Sequence, residues 1–220
     1  MRRLSGTAGT SRQSKKGMRY YLALLIALTL AVVPWPTPRS LIDAPTTASP
    51  PQRATVLGYE RDAFGPGWAA TPSGCDTRSA LMAQAFSVPS CSVPYREWSA
   101  RPITDPYTGQ PLLPADVEID HVYPLSAAWD SGAHAWTGAQ RLAFANDPRN
   151  LVVTSSAANQ DKSDQLPSEW LPPAPRARCA YARQLTAVAR AYELALPRDD
   201  LRAVRRACSG FTGLVGRSSL

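Results

Sequence analysis

Asp120 and His121 stand side by side in the run V-E-I-D-H-V-Y-P-L, from Val117 to Leu125. Downstream, N-L-V-V-T-S-S-A-A-N-Q-D-K-S-D, from Asn150 to Asp164, supplies Asn150, then Asn159 nine residues later, then Lys162. These residue types suit a hydrolysis assisted by one hard cation. The Asp120 carboxylate and the Asn159 amide oxygen are hard ligands that leave positions for water and an anionic substrate. The imidazole of His121, with an unperturbed pKa of about 6.5, can take a proton from attacking water near neutral pH. Glu118, two residues before Asp120, either supports the site or its metal or is a plain surface charge. Any one of these residues alone would carry little; their joint order and spacing carry the reading.

The elements that must position them are legible. Val117 and Ile119 alternate with Glu118 and Asp120, the period of a half-buried strand, so the two carboxylates share one face. Pro124 stops regular pairing soon after His121. Leu151-Val152-Val153-Thr154 reads as the next strand. Ser155 or Ser156 then caps a helix that carries Asn159 and Lys162 on one face. Strand, connection, strand, helix around one cation is a ββα arrangement. A phosphodiester suits such a site: its negative oxygens repel nucleophiles and its leaving alkoxide is poor, and one divalent cation can address both.

In order and spacing, Asp120-His121, Asn150, Asn159 and Lys162 resemble the HNH endonuclease family of the ββα-metal superfamily. A wider resemblance, from about Tyr59 to Cys208, is to secreted bacterial HNH-family proteins similar to the C-terminal domain of GmrSD-type nucleases. It rests on R-D-x-F-G (Arg61 to Gly65), G-C-D-T-R (Gly74 to Arg78), D-P-Y-T-G (Asp105 to Gly109), W-x-x-G-A-x-x-W (Trp129 to Trp136), R-L-A-F-A-N-D-P-x-N-L (Arg141 to Leu151) and W-L-P-P (Trp170 to Pro173). Two departures are Ser79, where the pattern has Asn, and a connection from His121 to Asn150 longer than the minimal motif. The resemblance implies an α+β fold: a ββα-metal (HNH, His-Me finger) core with a helical insertion and a helical C-terminal region. It implies a metal held by Asp120 and Asn159, His121 as general base, and Asn150 holding the loop that bears His121, through the His121 backbone. Lys162 is placed to contact the scissile phosphate or a neighbouring one.

The rest of the chain frames this core. Residues 1–35 join a basic stretch to the apolar run from Tyr20 to Trp35, the layout of a secretory signal. The run is short against the roughly 20 residues a bilayer span needs, which argues for export with transient membrane contact through the signal; an uncleaved signal anchor, tethering the protein on the outer face, is the alternative. Met18 is a second plausible start. Residues 36–53, rich in Pro, Thr, Ser and Ala, read as a linker, 54–210 as one domain and 211–220 as a flexible tail. Export makes the four cysteines a disulfide framework. Four cysteines allow three pairings. We favour Cys75–Cys91 and Cys179–Cys208, which close local loops on either flank of the motif.

The net charge of +7 comes from the N-terminus: from Pro51 onward 17 Lys and Arg face 16 Asp and Glu. The arginine-rich stretch near the C-terminus, with Arg178, Arg183 and Arg190, is expected to form two helices, Tyr181 to Leu196 and Asp199 to Cys208. It is either a non-specific phosphate-holding face or a solvated arginine surface. The insertion is expected to be helical with Thr137 as N-cap, Trp129, Trp136 and Phe144 to be core, and Tyr107 to be structural. No G-x-S-x-G favours a serine hydrolase, and no C-x2-C spacing favours zinc. The sequence therefore predicts an exported, monomeric endonuclease with one Mg2+ or Mn2+ and no organic cofactor, cutting DNA before RNA with low specificity. A catalytically silent nucleic-acid or cell-surface binding module on the same scaffold is the alternative.

Overall fold

The computed structural model describes residues 11–32 and 49–209. It divides into two compact units, Met1–Pro36 and Thr37–Leu220. The first holds helix α1 (Ser11–Val32), with Tyr20, Leu24, Ile26 and Leu28 exposed. Among the described residues no helix is long and apolar enough to cross a membrane. The rest of the expected export segment, linker residues 36–48 and the tail 211–220 lie outside the described residues.

The second unit is a mixed α+β domain held by two small antiparallel sheets. Strands β1 (Ile103–Thr104) and β2 (Pro111–Leu112) flank the D-P-Y-T-G turn. Strands β3 (Val117–His121) and β4 (Leu151–Ser155) pair with Glu118 opposite Thr154, Asp120 opposite Val152 and His121 opposite Leu151. Their two faces follow the alternation in the sequence. Val117, Ile119 and Leu151 pack with Met82 and Phe86, carried on or just beyond α2 (Thr77–Ala85). Glu118 and Asp120 turn to α5 (Ser156–Lys162), whose N-cap is Ser155, its Oγ accepting from the Ala158 N–H at 3.3 Å. Helix α2 is capped by Asp76, which accepts from the backbone N–H of Ser79 at 2.6 Å. Any residue supplies that N–H, so serine at this position leaves the cap intact.

The insertion between β3 and β4 folds as α3 (Leu125–Asp130) and α4 (Gly138–Ala145). Thr137 caps α4 in a reciprocal box with Gln140. Phe144 is fully buried, with Trp129 and Trp136 packed at the margin of the same core. The C-terminal helices are α6 (Arg178–Ala191) and α7 (Arg198–Ala207), so α6 begins and ends earlier than the sequence pattern places it. It stops at Ala191 because Glu193 takes φ +52°, and the turn drops Leu194 and Leu196 into the core with no exposure.

Both expected disulfides are formed. Cys75–Cys91 (Cα–Cα 6.1 Å) ties the entry to α2 to the following loop, and Cys179–Cys208 (4.6 Å) ties the start of α6 to the end of α7. Residues 50–53, expected in the linker, belong to the fold instead. The Pro50 carbonyl accepts from the Arg198 N–H at 3.0 Å, and Arg53 donates to Asp130, Asp164 and Ser126.

Candidate active site

Strand β3 offers Glu118 and Asp120 two residues apart, and α5 answers with Asn159 and Lys162 three apart. Two residues of strand rise about 6.8 Å and three of helix about 4.5 Å, so a short and a long partner complete a two-rung ladder. In the first rung Asn159 Nδ2 donates to Glu118 Oε2 at 2.7 Å, while Glu118 Oε1 accepts from Ser156 Oγ at 2.8 Å. The amide is thereby oriented, and Asn159 Oδ1 has no partner among the described residues. Partial burial works against the Glu118 charge, yet bonds from Asn159, Ser156 and Gln160 hold its carboxyl below the usual range.

In the second rung Lys162 Nζ donates to Asp120 Oδ1 at 2.8 Å and to the His121 carbonyl at 2.9 Å. Tyr107 donates its hydroxyl to Asp120 Oδ2 at 2.6 Å. Lys162 has no exposure and Asp120 only 3%, so this is a buried ion pair with hydrogen-bonded supports. Burial pushes the Asp120 carboxyl up and the Lys162 ammonium down, each against the attraction of the other. The outward reach toward a phosphate expected of Lys162 is absent: its ammonium turns inward, with two hydrogen bonds to a buried carboxylate and the strand end.

His121 follows at the end of β3. Its Nε2 pairs with the Ala145 carbonyl at 2.9 Å, which assigns the proton of the neutral ring to Nε2. The ring stacks on Trp68, with centroids 5.6 Å apart and planes 6° from parallel. Nδ1 has no hydrogen-bond partner among the described residues, and His121 lines an open cleft. Burial drives the imidazole pKa down to about 4 against the bond to Ala145, with the charges of Arg61 and Lys162 adding to the shift.

Asn150, fully buried, grips the loop after His121. Its Oδ1 accepts from the Tyr123 N–H at 2.8 Å, and its Nδ2 donates to the Tyr123 carbonyl at 3.1 Å. Its own carbonyl accepts from the Val122 N–H at 2.9 Å. The expected anchoring of the His121 loop thus runs through Tyr123 and Val122 rather than through the backbone of His121.

Asp120, His121 and Asn159 converge on an open cleft of about 260 Å³, also lined by Tyr59, Arg61 and Asp164. At about 10–15 Å³ of such space per water, it has room for a phosphate group and several waters. Sequence reasoning missed four of the surrounding side chains. Tyr107, read as structural, braces Asp120 with its hydroxyl; its place in the D-P-Y-T-G block was the sequence signal that could have drawn attention to it. Asp105 fixes this turn to β4 by accepting from the Tyr107 N–H, Thr154 Oγ1 and the Ser155 N–H. Trp68 and Arg61 come from a segment more than fifty residues upstream with no local periodicity tying it to the site.

Arg178, Arg183 and Arg190 all lie on α6 and none lines the cleft. Arg183 and Arg190 share a face two turns apart, whereas Arg178 lies roughly 120–140° round the helix and donates to the Pro172 carbonyl at 2.9 Å.

Comparison with known proteins agrees with the resemblance carried by the motifs. A family model described as "GmrSD restriction endonucleases, C-terminal domain" matches residues 91–195, a span that includes both rungs and both strands of the site. An "Uncharacterized secreted protein" of Arthroderma benhamiae is 37% identical over 203 residues, covering 85% of this chain and 97% of the relative. No solved structure matches.

Proposed function

The chain belongs to the family of the C-terminal domain of GmrSD restriction endonucleases, and we propose that it is an exported endonuclease that hydrolyses phosphodiester bonds with one divalent cation. The observation that carries this reading is the convergence, on one cleft, of an unpartnered imidazole nitrogen, an unpartnered amide oxygen and a buried carboxylate. In this reading β3, β4 and α5 are a ββα-metal core.

The donor set fits a cation. Asn159 Oδ1 is free because Glu118 holds the other end of the amide, and Asp120, whose oxygens accept from Lys162, Tyr107 and the His121 N–H, keeps one of its about four lone-pair sites for a cation. Among the described residues no three His, Cys, Asp or Glu side chains gather as a metal cluster. Two protein oxygens with water and substrate phosphate completing the shell is the manner in which Mg2+ or Mn2+ is held. The chemistry supplied by such a cation is charge neutralisation at a non-bridging phosphate oxygen and at the departing oxygen.

The chain's own residues do the rest. His121 presents the Nδ1 lone pair to a water in the cleft, and the Ala145 carbonyl and Trp68 hold the ring in that pose. Its depressed pKa keeps the ring neutral, and so able to accept a proton, throughout the physiological range. Lys162 and Tyr107 are positioning residues: they fix the Asp120 carboxylate, and their bonds favour its charged form against the burial that pushes its pKa up. Asn150 fixes the loop that follows the base.

DNA is the proposed substrate ahead of RNA because the matching family is one of restriction endonucleases, and low sequence specificity is proposed because the cleft presents groups suited to a phosphate rather than to base edges. Export is supported by the two disulfides, which suit an oxidising compartment, and by the secreted relative. The test is incubation of the full chain with closed circular DNA and with linear RNA, in Mg2+, Mn2+ or EDTA. Cleavage of the circle only with a divalent ion is expected. No cleavage of either substrate with any divalent ion sinks the enzyme reading and leaves the silent binding module.

A further inference from the structure

With Lys162 sealed behind Asp120, the cleft draws its positive charge from elsewhere. Arg61 is the one lysine or arginine among the residues that line it, beside Asp120, His121 and Asn159. Of the acids there, Asp120 is matched by Lys162 and Asp164 by Arg53. Arg61 itself is exposed and has no hydrogen bond, ion pair or ring contact among the described residues. Arg53, Arg141, Arg149, Arg178 and Arg202, by contrast, all spend donors on named protein acceptors.

An unpaired guanidinium on a floppy loop would mean little, but the segment under Arg61 is fastened on both sides. Upstream, Arg53 reaches Asp130 and Asp164, and the Val56 N–H donates to Asp130 Oδ1 at 2.8 Å. Downstream, Arg61 opens a 3-10 turn, Arg61–Phe64, whose Phe64 is 2% exposed and packs among Tyr59, Trp129 and Phe144. Arg141 of α4 donates to the Ala63 carbonyl at 2.8 Å. Gly65 follows at φ +108°, pressed against Leu142 so closely that a Cβ there would collide with it. The fold therefore holds one unspent, fork-shaped cation at the rim of an anion-accepting cleft.

Resting on the nuclease reading above, we propose that Arg61 is the substrate-contacting cation of this site, its guanidinium receiving the oxygens of the scissile or adjacent phosphate. A guanidinium suits the role because its donors match two phosphate oxygens at once. Tyr59, two residues earlier and also lining the cleft, flanks the same phosphate path.

The experiment compares full-length wild type, Arg61→Ala and Arg61→Lys in two assays. In Mg2+-supported plasmid cleavage, Arg61→Ala is expected to lower kcat/KM by about 10²-fold, as loss of a charge-stabilising donor does, with Arg61→Lys recovering part of it. Binding of a DNA duplex is measured in EDTA, in a His121→Ala background, across a salt series. There Arg61→Ala is expected to lessen the slope of log K against log salt by about 0.9, one phosphate contact, and Arg61→Lys to retain it. Unchanged melting temperatures show that the variants fold. Wild-type cleavage with Arg61→Ala equal to wild type in both rate and salt slope overturns the role of Arg61 and leaves the nuclease reading standing. No cleavage by wild type overturns the nuclease reading, and the salt slopes then decide by themselves whether Arg61 holds a phosphate.

Discussion

Which way the Asn159 amide faces is decided by Glu118, a residue that touches neither the cleft nor the base. Its Oε2 takes the Nδ2 protons and leaves Oδ1 outward. Outer partners of this kind typically govern metal affinity by 10–100-fold. Glu118→Ala is therefore predicted to raise the half-saturating Mg2+ concentration by about that factor, whereas Glu118→Gln, which can still accept from Asn159, stays near wild type. Equal losses in the two variants, read from Mg2+ titrations of cleavage rate, would show that charge rather than orientation matters. His121 gives a second prediction, made without metal. Its folded pKa is near 4 and its ordinary value 6.5, so as pH falls the unfolded chain takes the proton first. The contribution is full above pH 6.5 and is lost between 6.5 and about 4, amounting to roughly 3 kcal/mol. Wild type should lose that much more unfolding free energy between pH 7 and 4 than His121→Phe, which keeps a ring against Trp68 but cannot titrate. Parallel curves for the two proteins would contradict the depressed pKa.

Among the elements, the strand pair and the helix after it do the positioning, and the loop between them is held by one side chain. Asn150 satisfies both the N–H and the carbonyl of Tyr123 in a place without solvent. Asn150→Ala orphans two buried backbone groups and is predicted to cost about 3 kcal/mol of stability in denaturant unfolding. It should also reduce cleavage at temperatures where the variant is still folded; full activity there would remove the loop from the account. The strands were legible because Val117, Glu118, Ile119 and Asp120 alternate and because β-branched residues crowd Leu151 to Thr154. The α4 cap was legible because Thr137 and Gln140 form a local box. The direction of Lys162 was not, since it depends on the Asp120 carboxylate and the His121 carbonyl, which meet it only in the folded chain. Nor was the end of α6, where burial of Leu194 and Leu196 overrides a sequence that could continue as helix.

At the scale of the whole molecule, the domain is built from its ends inward. The arm from Pro50 to Phe64 brings Tyr59 and Arg61 to a cleft otherwise made by residues 119–164. The two disulfides close loops with separations of 16 and 29 residues, for which chain entropy alone stabilises by about 3 to 4 kcal/mol each. That they link neighbours in sequence made the pairings readable, whereas the arm, joined to the cleft across some sixty residues, showed only the block R-D-x-F-G, with nothing in it that tied Arg61 to the site. The central claim is that this scaffold positions His121 and Asn159 to cut a phosphodiester. Its most direct test is nicking of supercoiled plasmid in Mg2+ by the full chain, beside His121→Ala and Asn159→Ala shown by circular dichroism to be folded. The account predicts nicking by wild type that EDTA abolishes and that falls by at least about 10²-fold in each variant. Nicking that persists in folded His121→Ala at the wild-type rate would contradict it.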